Sequence, residues 1–280
     1  MFSLIEHYET FIRLGFFVGI LLIMAAWETY SPRRIATVSR GYRWLHNMSL
    51  VVLNTVVLRI VFPTATIGMA LLAEERGWGI LSLLQWSPLV SVVFSVVVLD
   101  FMIWLQHVTV HAIPVLWRLH RVHHADPDYD VTTGLRFHPL EILLSMVIKF
   151  IVIIALGPPV VAVIIFEVIL NGMAMFNHGN VRLPLGIDRV LRVLLVTPDM
   201  HRVHHSVEDD ETNSNFGFNL SIWDRLFGTY KAQPDAGHEA MQIGIRGFDK
   251  KQEVSTLLGM LVLPFKGRVN EYTINRRSWK

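Results

Sequence analysis

The sequence predicts an all-α integral membrane bundle of about four transmembrane helices, or three plus a re-entrant hairpin, with a histidine-rich cap. Three observations predict it. The 280-residue chain is 52% hydrophobic and only 17% charged, with a mean hydropathy of +0.43. A soluble domain averages about 25% charged residues. Long apolar runs recur, each near the length that crosses a bilayer core. The chain holds 13 histidines and no cysteine. Most of the histidines stand in three clusters: His107 with His111; His120, His123 and His124; His201, His204 and His205.

Taken in order, Phe11 to Trp27 is apolar apart from Arg13 and forms the first span. The preceding residues lack a basic region and a small-residue cleavage site, so this span reads as a retained anchor rather than a signal peptide. Arg33, Arg34, Arg40 and Arg43 crowd the next loop. The second run, Asn47 to Ala73, is interrupted by Arg59 and Pro63 and is followed by Glu74 and Glu75. The third runs from Pro88 to Leu105, with Asp100 near its end. Arginine-rich loops stay cytoplasmic. The N-terminus is therefore expected outside and the 28–46 loop inside, so the third span delivers His107 to the cytoplasmic face.

Ile142 to Met175 is the fourth apolar region, broken by Gly157-Pro158-Pro159. Two prolines cannot continue a helix, so this region reads as two helices joined by a tight turn. Both its ends then lie on one side, and His120–His138 shares a compartment with His178–His205. Thr197-Pro198-Asp199 reads as a helix start, with Asp199 the best N-cap candidate. Leu257 to Phe265 is too short to span and reads as an interfacial piece. The expected regions are N-terminal transmembrane helices over 1–106, a histidine-bearing region over 107–230 around the apolar hairpin 142–175, and a cytoplasmic tail over 231–280.

The absence of cysteine removes disulfides, thiolate zinc sites and iron–sulfur clusters. A net charge of +2 is too small to point to nucleic acid. Residues three or four apart share a helix face, so His107 with His111, and His120 with His123 or His124, can converge on one metal. Adjacent residues lie about 100° apart on a helix. His123 and His124 can thus turn to opposite sides, as can His204 and His205, which suits two metals between helices. Imidazole serves iron, zinc, copper and nickel alike, so ligand type does not choose the ion. His138 and His178 are isolated candidates to complete the set. His7, His46 and His238 have no such company and read as surface or interface residues.

A metal-bound imidazole needs an acceptor on its other nitrogen. Asp126, Asp128, Asp130, Asp199, Glu208 and Asp209 flank the clusters, although cap and loop chemistry is the ordinary role for most of them. Asp100 inside an apolar helix is costly, and is expected to bond a ligand histidine or pair with Arg118 or Arg121. Two rival chemistries fit clustered histidines. One is a membrane zinc enzyme hydrolysing a lipid. The other is a bis-histidine haem electron carrier, which needs its axial pairs inside the membrane rather than beyond the apolar runs.

HVTVH, HRVHH, FHPLE, NHGNVRLP, DMHRVHHS and WDRLFGTY, in that order, resemble the fatty acid hydroxylase/sterol desaturase superfamily of integral-membrane di-metal oxygenases. The likeness runs from about Asp100 to Tyr230. It implies a di-iron centre of two iron ions, dioxygen as co-substrate, and hydroxylation or desaturation of a lipid (sterol, fatty acyl or related). It further implies an external electron donor, cytochrome b5-like, ferredoxin or reductase, since no flavin or haem motif is visible. Attack on an unactivated C–H bond needs redox metal rather than zinc, which would enter a recombinant sample only by mis-metallation. Carried over motif by motif, the ligands are His107, His111, His120, His123, His124, His178, His201, His204 and His205, with His138 as a tenth. Some members have a second histidine near His178; here Asn177 and Asn180 stand nearby. Asn180 joins Asp100, Asp126 and Asp199 as second-layer candidates. Trp104, Trp117, Phe137, Met173 and Phe176 are candidate walls for a lipid pocket. Arg118, Arg121, Arg182, Arg189 and Arg202 are candidates for a face that docks an acidic carrier or lipid head groups.

Overall fold

The computed structural model describes residues 8–84, 86–248 and 250–267. His7 and residues 268–280 of the expected tail lie outside the described residues. Within them the chain is helical, with three isolated bridges and no strand. Seven helices carry the architecture: α1 (Glu9–Tyr30), α2 (Arg40–Val61), α3 (Thr66–Arg76), α4 (Pro88–Ala112), α5 (Pro114–His124), α6 (Pro139–Leu156) and α7 (Val160–Asn177). Among the described residues, five segments are long and apolar enough to cross a membrane: Thr10–Tyr30, Arg40–Leu83, Pro88–Ala112, Pro139–Leu156 and Val160–Asn177. Their outward side chains are apolar, Phe11 and Leu89 standing 74% and 73% exposed. A lipid solvent stabilises that arrangement; water would not.

The second apolar run breaks at the Pro63 interruption. It is two helices rather than one, because Pro63 offers no N–H and cannot continue α2. The chain breaks over Phe62–Ala65, and α3 packs back against α6 and α7. The expected hairpin is α6 and α7, of 18 residues each. That is about 27 Å per helix, close to the ~30 Å hydrocarbon core. Its turn requires glycine. Gly157 sits at φ +64°, and a Cβ there would lie 2.2 Å from the Trp78 carbonyl oxygen.

Four helices at the histidine end, α4, α5, α6 and the short α9 (Pro198–His204), start on a proline in their first turn. The missing N–H costs nothing there, and the fixed φ is already helical. Between α7 and α9 lies α8 (Leu185–Leu191). Leu99, Ile103, Ile153, Val163, Ile164 and Phe166 form an apolar core between α4, α6 and α7. Leu257–Phe265 is no loose interfacial piece. Met260 and Leu263 are fully buried with Leu50, Trp117 and Val122, so this segment braces α5 against α2.

The loops at the histidine end are buried and ionically tied. Arg43 binds Asp126 at 2.6 and 2.8 Å and Asp130 at 2.6 Å. Glu28 accepts the Val131 and Asn180 N–H groups at 2.7 and 2.8 Å and pairs with Arg40 at 3.0 Å. These bonds fasten α1 and α2 to the loop between α5 and α6. The arginine loop lies at the same end, since Pro32 bridges Val181 and the Arg33 N–H donates to the Asn180 carbonyl.

Candidate metal centre

Nine histidines converge in two groups. His107, His111, His120, His124 and His204 form one; His123, His178, His201 and His205 form the other; within each, the candidate ligand atoms lie within 4.8 Å of one another. Helix α4 supplies His107 and His111, α5 supplies His120, His123 and His124, the cap of α7 supplies His178, and α9 with its cap supplies the rest. The adjacent pairs part: His124 and His204 go to the first group, His123 and His205 to the second. His120 joins His124, one helical turn away, and not His123.

The tautomers follow from the outer bonds. His107 and His204 donate Nδ1–H to the Phe216 and Ser214 carbonyls, each at 2.7 Å. A carbonyl only accepts, so in a neutral ring Nε2 carries a bare lone pair. Those two Nε2 atoms face each other at 3.0 Å. His178, whose Nδ1 donates to the Ala174 carbonyl, has Nε2 at 3.1 Å from both His123 and His201 and 3.2 Å from His205. One ring nitrogen cannot hydrogen-bond three others, and two lone pairs repel. A cation satisfies both arrangements. With metal–nitrogen bonds of about 2.0–2.1 Å, adjacent ligands stand about 2.9 Å apart at right angles and about 3.3 Å at tetrahedral angles. The observed 3.0–3.2 Å spacings fit between these values.

Electrostatics keep the rings ready to ligate. Burial first, then the neighbouring imidazoles, push His123, His124, His201, His204 and His205 far below the ordinary histidine range. Burial holds His178 down to about 4. Neutral imidazole is the form that binds metal.

Several expected site residues do other work. His138 lies in neither group. It caps α6, accepting the Leu140 N–H on Nδ1, and its Nε2 is 3.3 Å from the Leu261 carbonyl. Asp126 is taken by Arg43 and Thr133. Asp199 is not the N-cap of α9; Thr197 is, accepting the Met200 N–H, while Asp199 pairs with Arg202. Asn180 ties down the backbone of Arg34 at 2.8 and 2.9 Å. Asp100 touches no histidine and neither Arg118 nor Arg121. It accepts from Trp223 Nε1 at 2.8 Å and the Leu220 N–H at 3.4 Å. Arg118 and Arg121 bind carbonyls of the 263–267 segment, and Arg202 is fully buried. Of the proposed docking arginines, Arg182 and Arg189 stay exposed.

Two residues missed in the sequence matter more. Glu141, in the first turn of α6, accepts His120 Nδ1–H at 2.6 Å. Its signal was the third helical position after the His138 cap, where a carboxylate faces the helix start. Asp224 accepts the Phe216 and Gly217 N–H groups, Trp104 Nε1 and the Thr229 hydroxyl at 2.7–3.1 Å. It thereby sets the strap whose carbonyls orient His107 and His204.

A cavity of about 620 Å³ opens on His107 and His120 and runs between α1, α2, α4, α6 and α7. Ile103, Val110, Leu135, Ile142, Met146, Leu170 and Phe218 line it. Of the expected wall residues only Phe137 lines it, stacked on His123 at 4.5 Å. Trp104 stacks on Phe227, Trp117 lies under His111 and His124, and Phe176 packs near Trp27. Met173 is absent from the lining.

Residues 92–229 match the fatty acid hydroxylase family model. The chain is 32% identical over 186 residues to the ornithine lipid hydroxylase OlsE of Rhizobium tropici, covering 66% of this chain and 54% of that protein. It is 33% identical over 135 residues to the alkylglycerol monooxygenase of Homo sapiens, covering 48% of this chain and 29% of that protein. The Xenopus tropicalis alkylglycerol monooxygenase is 33% identical over 132 residues, covering 47% and 28%. The chain thus spans about half the length of the first relative and under a third of the other two. No solved structure matches. Histidine motifs, buried two-group geometry and these similarities agree: the chain belongs to the fatty acid hydroxylase/sterol desaturase superfamily.

Proposed function

We propose that the chain is a membrane-embedded, dioxygen-dependent di-iron oxidase that hydroxylates a lipid at the cytoplasmic face. One observation carries this reading: nine inward Nε2 atoms, five and four, two of whose rings, His107 and His120, open on a cavity with Ile103, Val110, Ile142 and Phe218 in its wall. Five imidazoles in one group exceed the four ligands that zinc usually takes and favour a redox ion that accepts more ligands over the hydrolytic reading. Nitrogens 3.0–3.2 Å apart leave no slot for a haem macrocycle. Two bound irons would supply oxidising power toward a C–H bond.

The chain's own residues do the rest. The Phe216, Ser214 and Ala174 carbonyls hold the Nδ1 protons of His107, His204 and His178. Glu141 holds that of His120 and strengthens its donor character. Ile103, Val110, Leu135, Ile142, Met146, Leu170 and Phe218 offer apolar wall against which a hydrocarbon chain would lie past His107 and His120. The electrons come from a separate donor. Sidedness is supported by the arginine loop at the histidine end. The test is oxygen uptake by the purified, iron-loaded protein with lipid mass spectrometry. A product heavier by one oxygen is expected. Loss of two hydrogens instead would convert the reading to desaturation, and lipid cleavage without oxygen uptake would overturn it.

A further inference from the structure

The apolar surface of this molecule does not end with its membrane-spanning helices. Two short stretches at the histidine end, 185–194 and the helix Ile222–Leu226 with Phe227, turn apolar side chains outward. Leu185 and Val190 are 71% exposed and Leu226 67%, as open as lipid-facing Leu89 of α4. The stretches form one face. Leu195 bridges Leu220, the Ser221 N–H donates to the Leu194 carbonyl at 2.9 Å, and Arg225 Nη2 donates to the Arg192 carbonyl at 2.8 Å. All the charge this face exposes is positive. Its two carboxylates are buried, Asp188 against Arg192 and Thr197, and Asp224 against the strap. Among the described residues, Arg189 and Arg225 are exposed and have no carboxylate partner.

The depth of this face follows from α4. Trp223 Nε1 donates to Asp100 at 2.8 Å, the Trp223 ring lies 5.0 Å from Phe101, and Phe227 stacks on Trp104 at 4.6 Å. Phe101 stands thirteen residues after Pro88, about 20 Å along a helix of about 37 Å. Leu105, one turn nearer the histidines on the same side of α4, is still exposed. The lipid-facing band of α4 therefore runs past the level at which the Ile222–Leu226 helix packs. We propose that 185–194 and 222–227 form an interfacial face seated in the head-group layer of the membrane, with Arg189 and Arg225 on the phosphates of anionic lipids. Side chains turned outward at that level meet lipid rather than water, and aromatic rings, cations and apolar groups together suit that boundary. The same short helix holds Asp224 on its inner side, so the membrane seats the element that sets the strap behind His107 and His204. This seating needs only the membrane embedding, whatever chemistry the histidines perform.

The chain has no cysteine, so one introduced thiol labels one place. The experiment attaches bimane to Ile187→Cys or Leu226→Cys in the full chain in nanodiscs. It reads quenching by lipid carrying a doxyl group high on its acyl chain, and by aqueous iodide. Both side chains are exposed, so both variants should fold. Leu89→Cys on α4 is the lipid-facing reference, and Ala236→Cys, on an exposed turn beside Asp235, the aqueous one. Labels at 187 and 226 should be quenched by doxyl lipid like that at 89 and spared by iodide, unlike that at 236. Doxyl-phosphatidylglycerol should quench the label at 187 more than doxyl-phosphatidylcholine at equal content. Arg189→Gln should lower that preference about fivefold, and adding Arg225→Gln should abolish it. Iodide quenching at 187 and 226 that matches 236, with no doxyl effect, overturns the seating and leaves the face to a soluble protein partner. Equal quenching by the two lipids, or a preference unchanged in the double variant, overturns the anionic contact.

Discussion

The five-histidine and four-histidine groups are built from the same helices but are held differently. Three rings of the first have close Nδ1 partners: His107 on Phe216, His204 on Ser214 and His120 on Glu141, at 2.6–2.7 Å. In the second, His178 alone has so close a partner among the described residues, the Ala174 carbonyl at 2.7 Å. The first group also receives the single anionic partner and faces the cavity. The difference teaches that ligand count and ligand support go together here. One group is braced for retention. The other has fewer rings and fewer braces.

The sharpest way to break the comparison is to remove one ring from each group. His123→Ala leaves three in its group, and should cost at least about 100-fold in activity with one metal lost per chain by elemental analysis. His111→Ala leaves four in the other and should keep both metals. Unimpaired turnover by His123→Ala would sink the ligand assignment. Glu141→Gln keeps the shape but removes the anion. Metal affinity at the five-histidine group should fall about 10–100-fold, measured by chelator competition, and an unchanged affinity would strip Glu141 of its role.

Gly134→Ala tests the weaker group through packing. Its Cβ would sit 2.5 Å from the Ala174 carbonyl oxygen and 3.0 Å from His178 Nδ1. Overpacking of this kind costs about 1–3 kcal/mol, and the melting temperature of the metal-loaded protein should drop accordingly. Acid gives a milder probe. His178 is held down to about 4 by burial, against about 6.5 in the unfolded chain. Between those values the unfolded chain binds more protons than the metal-free fold. Stability of the metal-free fold is therefore intact above about pH 6.5 and lost as pH falls toward 4, as melting of the metal-free protein across that range should show. Stability that stays flat across that window would contradict it. The smallest effect belongs to His138→Ala: about 1 kcal/mol from a lost cap, with both metals retained.

The legible part of this molecule was the part set by local spacing. Apolar runs, the proline-broken hairpin and the histidine periodicity are one-dimensional patterns, and each placed a helix or a cluster. The partners of buried carboxylates were not legible. Asp126 and Asp199 sit next to histidines in sequence, yet they turn to Arg43 and Arg202. Glu141 comes to His120 from 21 residues away. His138, isolated in sequence, was a candidate ligand through its motif, and its backbone position before Pro139 makes it a cap. Pro63 was visible as an interruption; that it turned α3 back onto the hairpin depended on tertiary packing.

The prolines that open α4, α5, α6 and α9 have a consequence for how this centre can vary. On α4, α5 and α9 each sets a fixed origin from which the histidine positions on that helix are counted, and on α6 it does so for Glu141. His120, His123 and His124 follow Pro114 by a set number of residues, and His201 and His204 follow Pro198 likewise. One residue inserted between origin and ligand would swing every following imidazole by about 100°. Lengthening a loop ahead of the proline moves nothing. Insertions should thus be tolerated on one side of each proline and lethal to metal binding on the other, so the tolerated variation is written in the loops.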